Sequence, residues 1–158
     1  MKIRMLLVGA LMCLFAVDAT AQVPKPWLGS WKLNVAKSTS TPGVPLPKSQ
    51  IDSIEAVDGG FKQTSARVLS DGKAVRFEYT AKLDGKDYPW TGSAFADAMS
   101  VAKVDDYTTE WALKKGGKVV QSGRTVFSRD GKSRTITWKG TGVSTGQTGE
   151  GTSVFDRQ

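Results

Sequence analysis

Short glycine turns constrain this chain more than any other feature. Asp71-Gly72-Lys73, Asp84-Gly85-Lys86, Gly116-Gly117-Lys118 and Asp130-Gly131-Lys132 are near-copies of one signal, each flanked by segments in which apolar and polar residues alternate. A tight hairpin needs positive φ at its centre, which glycine adopts without a Cβ clash and a preceding aspartate partly tolerates. The repeats therefore predict β-hairpins, and the chain reads as an antiparallel meander.

Residues 1–21 stand apart from that pattern. Lys2 and Arg4 make a charged start, Met5 to Val17 is an apolar run of thirteen residues, and Ala19-Thr20-Ala21 places small residues around a cleavage point. Together these are the parts of a secretory signal peptide. The run is short of the ~20 residues that span a bilayer, which argues against a retained anchor. Met12 before Cys13 is not the small residue that a lipoprotein site needs. The expectation is cleavage after Ala21, a protein secreted or held in a periplasm, and a mature domain over 22–158.

Taking 21 residues from 158 leaves 137, a length suited to one domain with one core. The single cysteine leaves with the signal, so the mature chain has no disulfide and depends on packing and sheet pairing. It carries 20 basic against 14 acidic residues, a net +6 scattered along its length. Basic residues and strand aromatics are also what an oligonucleotide-binding barrel uses, but export and the scatter of the charge argue against nucleic acid.

No histidine occurs anywhere, which removes imidazole bases, the usual zinc site and His-ligated haem, while the loss of Cys13 removes thiol nucleophiles. Carboxylate chemistry remains possible. Glu78 and Glu110 fall on polar strand faces and read as solvation, Asp105-Asp106 reads as a turn, and each DGK turn offers one acid where a calcium loop needs several. The chain is accordingly expected to be no enzyme and to hold no metal or cofactor.

Ten strand-like runs cover 28–34, 49–57, 60–68, 74–82, 87–92, 98–104, 107–115, 118–128, 133–140 and 149–156. The clearest is 74–82, with Val75, Phe77, Tyr79 and Ala81 on one face and Arg76, Glu78, Thr80 and Lys82 on the other. In 107–115, Tyr107, Thr109, Trp111 and Leu113 share a face, and in 133–140 Ile136 and Trp138 alternate with Thr135, Thr137 and Lys139. Pro42, Pro45 and Pro47 make 35–48 a loop that forbids ladder pairing, a candidate lid. The stretch Gly140 to Thr152 holds five glycines but no following GK[ST], so it reads as a hairpin loop rather than a phosphate cradle. Many short strands hide their edges in a barrel or a sandwich, and sequential hairpins favour closure. The fold expected is all-β, a single antiparallel up-and-down barrel of about eight to ten strands, with room for side chains or one small ligand.

Gly29-Ser30-Trp31, opening the first strand near the mature N-terminus, resembles the GxW signature of the lipocalins and related calycin barrels. Asp105-Asp106-Tyr107 is similar to the family's second motif, with aspartate where threonine is usual, and Arg124 lies at a suitable distance for the third. The resemblance implies that Gly29, Trp31, Asp106, Tyr107 and Arg124 close one end of the barrel, with the arginine packed across the tryptophan. Departures accompany it. No helix follows the last strand, about ten strands is nearer the fatty-acid-binding branch, and neither that branch's two inserted helices nor its Arg-x-Tyr clamp is present. The whole resembles small secreted bacterial lipocalin-like domains of unassigned function, which implies a fold and little chemistry.

Tyr79, Trp90, Trp111 and Trp138 are candidates to line an apolar cavity, with Arg134 and Thr109 on the same faces making its interior partly polar. The leading expectation is an extracytoplasmic binding protein for a small apolar or amphipathic molecule admitted past the 35–48 loop. The alternative is a filled barrel acting through its surface or loops on another envelope protein, for instance as an inhibitor of a secreted hydrolase.

Overall fold

The computed structural model describes residues 22–158. The signal-peptide reading, with Cys13, lies outside the described residues. The described residues form eleven strands: β1 (Gly29–Leu33), β2 (Thr39–Ser40), β3 (Ser49–Val57), β4 (Gly60–Val68), β5 (Ala74–Ala81), β6 (Asp84–Thr91), β7 (Ala98–Lys103), β8 (Thr108–Lys115), β9 (Lys118–Phe127), β10 (Ser133–Thr141) and β11 (Thr148–Arg157). Apart from two-residue β2, each strand pairs antiparallel with the next, and β11 returns to β1 through Trp31↔Arg157 and Leu33↔Phe155. The result is a closed antiparallel ten-stranded up-and-down barrel.

Closure sorts side chains by parity, because successive residues of a strand point to opposite faces. Phe77, Tyr79 and Ala81 are buried on β5, as are Thr109 and Leu113 on β8 and Phe127 on β9, while Arg76, Glu110 and Arg124 are exposed. All ten runs read from the sequence are strands in the order expected.

Three local readings are corrected. Asp84-Gly85-Lys86 is not the hairpin turn between its neighbours: it opens β6 as an irregularity in the β6–β7 ladder, and Lys82-Leu83 links β5 to β6. The confusion is physical. Asp84 accepts from the Lys86 N–H at 3.0 Å, just as Asp71 does from Lys73 and Asp130 from Lys132 in true hairpin turns. Second, the 35–48 segment does pair: Thr39 and Ser40 lie against Thr152 and Gly151. Its prolines all fall after that pairing. Third, the glycine-rich loop is confined to 142–147, with Gly140, Gly149 and Gly151 inside strands. At Gly151 a Cβ would stand 2.4 Å from the Thr39 carbonyl oxygen, so glycine is what lets β2 approach.

The register assigns the connections to two ends. The 58–59, 82–83, 104–107 and 128–132 turns share an end with Gly29 and Arg157, here the base. The opposite end, here the mouth, carries the 34–48, 69–73, 92–97, 116–117 and 142–147 connections.

One seam is weaker than the rest. The β3–β4 ladder runs through nine consecutive pairs, whereas β5 and β6 share only Glu78↔Thr91 and Tyr79↔Trp90. Continuing that register brings Pro89 opposite Thr80. Since the Trp90 N–H donates across to Asp97 on the β7 side, the backbone of Pro89 faces β5, where a proline has no N–H to give.

Candidate functional site

Trp31 is fully buried at the base, its indole N–H donating to the Trp27 carbonyl at 3.0 Å. Its expected cation is present but comes from a different residue. Arg124 is exposed on the outer face of β9, opposite Glu110, so the reading that packs it over Trp31 is overturned. Arg157 takes that place, with its guanidinium 4.9 Å from the indole centroid and both terminal nitrogens donating to the Leu28 carbonyl at 2.8 Å. Gly29 beside it adopts φ of 117°, a backbone conformation that favours glycine.

Of the expected pair Asp106 and Tyr107, only Asp106 joins the base plug, through a third residue. The Asp106 carbonyl accepts from the Trp27 indole at 2.9 Å, and Trp27 stacks on Phe127, ring centroids 5.2 Å apart. Phe127 in turn meets Trp31 edge-on at 5.5 Å. Tyr107 stands outside this plug, under the guanidinium of Arg129.

Above the plug lies a cavity of about 190 Å³, bounded at the mouth by the Val44–Pro47 and Gly142–Thr145 segments. Tyr79, Trp90, Trp111, Trp138 and Arg134 all line it, and so does Thr109. Two of these aromatics owe their posture to glycines. Across β8 to β11, Trp111, Gly123, Trp138 and Gly151 form one cross-strand row. A Cβ on Gly123 would come within 2.4 Å of the Trp111 ring and one on Gly151 within 2.9 Å of Trp138. The indoles thus occupy the space that a side chain at each glycine would take. On the other wall Trp90 stacks between Phe77 and Tyr79, at 5.6 and 5.2 Å.

The interior is also charged. Arg134 forms a buried ion pair with Asp52 and stacks 4.3 Å from the Phe155 centroid. Gln50 donates to the other Asp52 oxygen at 2.8 Å. Tyr79 donates to Gln63 at 3.1 Å, and burial pushes its phenol pKa well above the ordinary range, so it stays neutral. A second guanidinium, Arg67, donates through Nη1 to Ser144 of the mouth loop at 2.7 Å and sits 5.3 Å from the Phe77 centroid. Burial pulls its pKa down, and the charge of Asp52 only partly opposes this. Among the described residues three buried side-chain donors have no partner: Arg67 Nε, Trp90 Nε1 and Arg134 Nε.

Gln50, Asp52, Gln63 and Arg67 belong to this site and were not picked out from the sequence. Hydropathy misleads on β3, where Ile51 is 47 % exposed while Gln50 and Asp52 face inward. Parity was the available signal, because Gln50 and Asp52 share a face with buried Ile54. Among the described residues no cluster of acids suits a metal ion. Compared with known proteins, the chain matches no family profile and no curated sequence.

Proposed function

We propose that this chain is an exported, lipocalin-like barrel that holds a small apolar or amphipathic molecule in its lumen. The observation that carries the reading is the cavity, with aromatic walls, a sealed base and a mouth bounded by two loops. A closed ten-strand barrel is compatible with the calycin architecture, and the Gly29-Ser30-Trp31 start under a stacked arginine supports that kinship. Ligand pockets for drug-sized molecules hold roughly 300–1,000 Å³. At about 190 Å³ this lumen suits something smaller, nearer the cavity of about 150 Å³ that accepts benzene.

The loops at the mouth set the route in. Val143 is buried, and its carbonyl accepts from Ser93 at 2.7 Å, while Ser144 is held by Arg67. Entry proceeds by transient release of these few polar contacts, which re-form once the ligand is buried against indole and phenyl faces.

Native mass spectrometry of protein taken from its own producer tests the proposal. A retained small molecule, released on denaturation, is the expected result. Tryptophan fluorescence supplies the second readout, since four indoles, those of Trp27, Trp90, Trp111 and Trp138, line the lumen. A barrel always empty, with fluorescence indifferent to a panel of short aliphatic and aromatic acids and alcohols, overturns it.

A further inference from the structure

We propose that the lumen selects a compact monoanion, a carboxylate on an apolar body about the size of one ring, and that Arg67 and Trp90 are the residues that read its headgroup. The inference rests on the lumen-binding reading and adds the ligand's charge and the residues that recognise it.

Charge balance is the first support. Two guanidiniums, Arg67 and Arg134, face the cavity with one carboxylate, Asp52. Both Asp52 oxygens are engaged, one by Gln50 and the other by Arg134. Tyr79, the remaining titratable lining group, is neutral. One positive charge is therefore unmatched, and it belongs to Arg67, which forms no ion pair among the described residues.

Unfilled hydrogen-bonding capacity is the second. Among the described residues, every buried side-chain nitrogen or oxygen without a partner is a donor: Arg67 Nε, Trp90 Nε1 and Arg134 Nε. A buried donor left unpaired is costly, so the site favours a ligand rich in acceptors. A carboxylate brings two acceptor oxygens and the missing negative charge, and a guanidinium edge matches it geometrically. Arg67 and Trp90 flank the same ring, Phe77, at 5.3 and 5.6 Å. Arg134 is committed to Asp52 and packed on Phe155 near the base, which leaves Arg67 as the anion's partner.

Arg67 also ties the headgroup to the lid, because its Nη1 already holds Ser144. A ligand anion on the Nε edge leaves that contact intact, so the loop closes over an occupied lumen.

Isothermal titration with benzoate, benzamide, benzyl alcohol and benzylamine tests this on the purified protein. Benzoate is expected to bind about tenfold or more tighter than the neutral pair, the worth of a charge-assisted hydrogen bond, and benzylamine not at all. In Arg67→Gln the preference collapses towards unity, because benzoate loses far more affinity than benzyl alcohol does. Trp90→Phe, which keeps a stacked ring but loses the N–H, weakens benzoate several-fold more than it weakens benzyl alcohol. The ranking of the four probes on the unmodified protein needs no variant, so poor folding of Arg67→Gln does not shield the idea. Equal binding of benzoate and benzyl alcohol, or a preference that survives Arg67→Gln, overturns the anion inference and leaves the lumen reading standing. Failure of all four probes, with an empty barrel in native mass spectrometry, overturns the lumen reading itself.

Discussion

A guanidinium that stacks on an indole and also donates twice to one carbonyl is hard to replace by either contact alone. Arg157 does both at the base, over Trp31 and on to Leu28. Arg157→Ala is expected to cost about 2 kcal/mol in urea unfolding, from the lost stacking and hydrogen bonds. Arg124→Ala, on the exposed face, stays within about 0.5 kcal/mol. Equal losses in the two variants would refute the assignment of Arg157. The buried Asp52–Arg134 pair gives a sharper contrast. Asp52→Leu or Arg134→Met alone strands a charge in the lumen and should cost about 3–5 kcal/mol, whereas the double variant recovers most of the loss. A double-mutant cycle with additive losses would show that the two residues act independently. Much at this scale was legible: Trp31 at the base and Tyr79, Trp90, Trp111, Trp138 and Arg134 around the lumen are placed as the alternating pattern implies. Arg124 misled because spacing from a motif says nothing of which face a residue occupies. With Thr125 and Phe127 inward on β9, position 124 must point out.

Strands differ in how firmly they are stitched, and the weakest join is traceable to one residue. Pro89 offers β5 no N–H, and the β5–β6 ladder shrinks to two pairs. Backbone amides of Phe77–Ala81 should therefore exchange with solvent faster than those of β3–β4, whose nine pairs form the longest uninterrupted run beside β10–β11. Pro89→Thr restores a donor opposite Thr80, and exchange along β5 is expected to slow. Uniform protection around the barrel, or no change in Pro89→Thr, would remove the proline as the cause. Strand boundaries were readable almost residue for residue because alternation and glycine turns reinforce one another. The exception, Asp84-Gly85-Lys86, shows the limit of that grammar. An aspartate bonding to the backbone two residues on, with positive φ between, serves a bulge inside a strand as well as a turn between strands.

Closure makes the lumen one electrical unit, in which each ionisable group experiences a low-dielectric interior shared with the others. Which groups enter that interior was not legible, because strands that carry Gln50, Asp52, Gln63 and Arg67 inward violate the hydropathy rule that places apolar residues there. The consequence is measurable in the stability of the whole fold at alkaline pH. Burial raises the pKa of Tyr79 in the folded state, with the Arg134 charge only partly countering it. Below the phenol's ordinary value of about 10, both folded and unfolded chains hold the proton, and the contribution is fully present. Above that value the unfolded chain releases its proton while the folded one keeps it, so each further pH unit costs about 1.4 kcal/mol until the folded value is reached. Tyr79→Phe keeps the stacking on Trp90 and has no proton to lose. Its stability at neutral pH drops by about 1 kcal/mol for the lost bond to Gln63. Subtracting the two stability curves cancels every other titrating group, Tyr88 and Arg67 included, and the difference should be flat below pH 10 and fall steeply above it. A difference that stays flat through the alkaline range would mean that the phenol reaches water, and the lumen would not be the sheltered chamber that its walls describe.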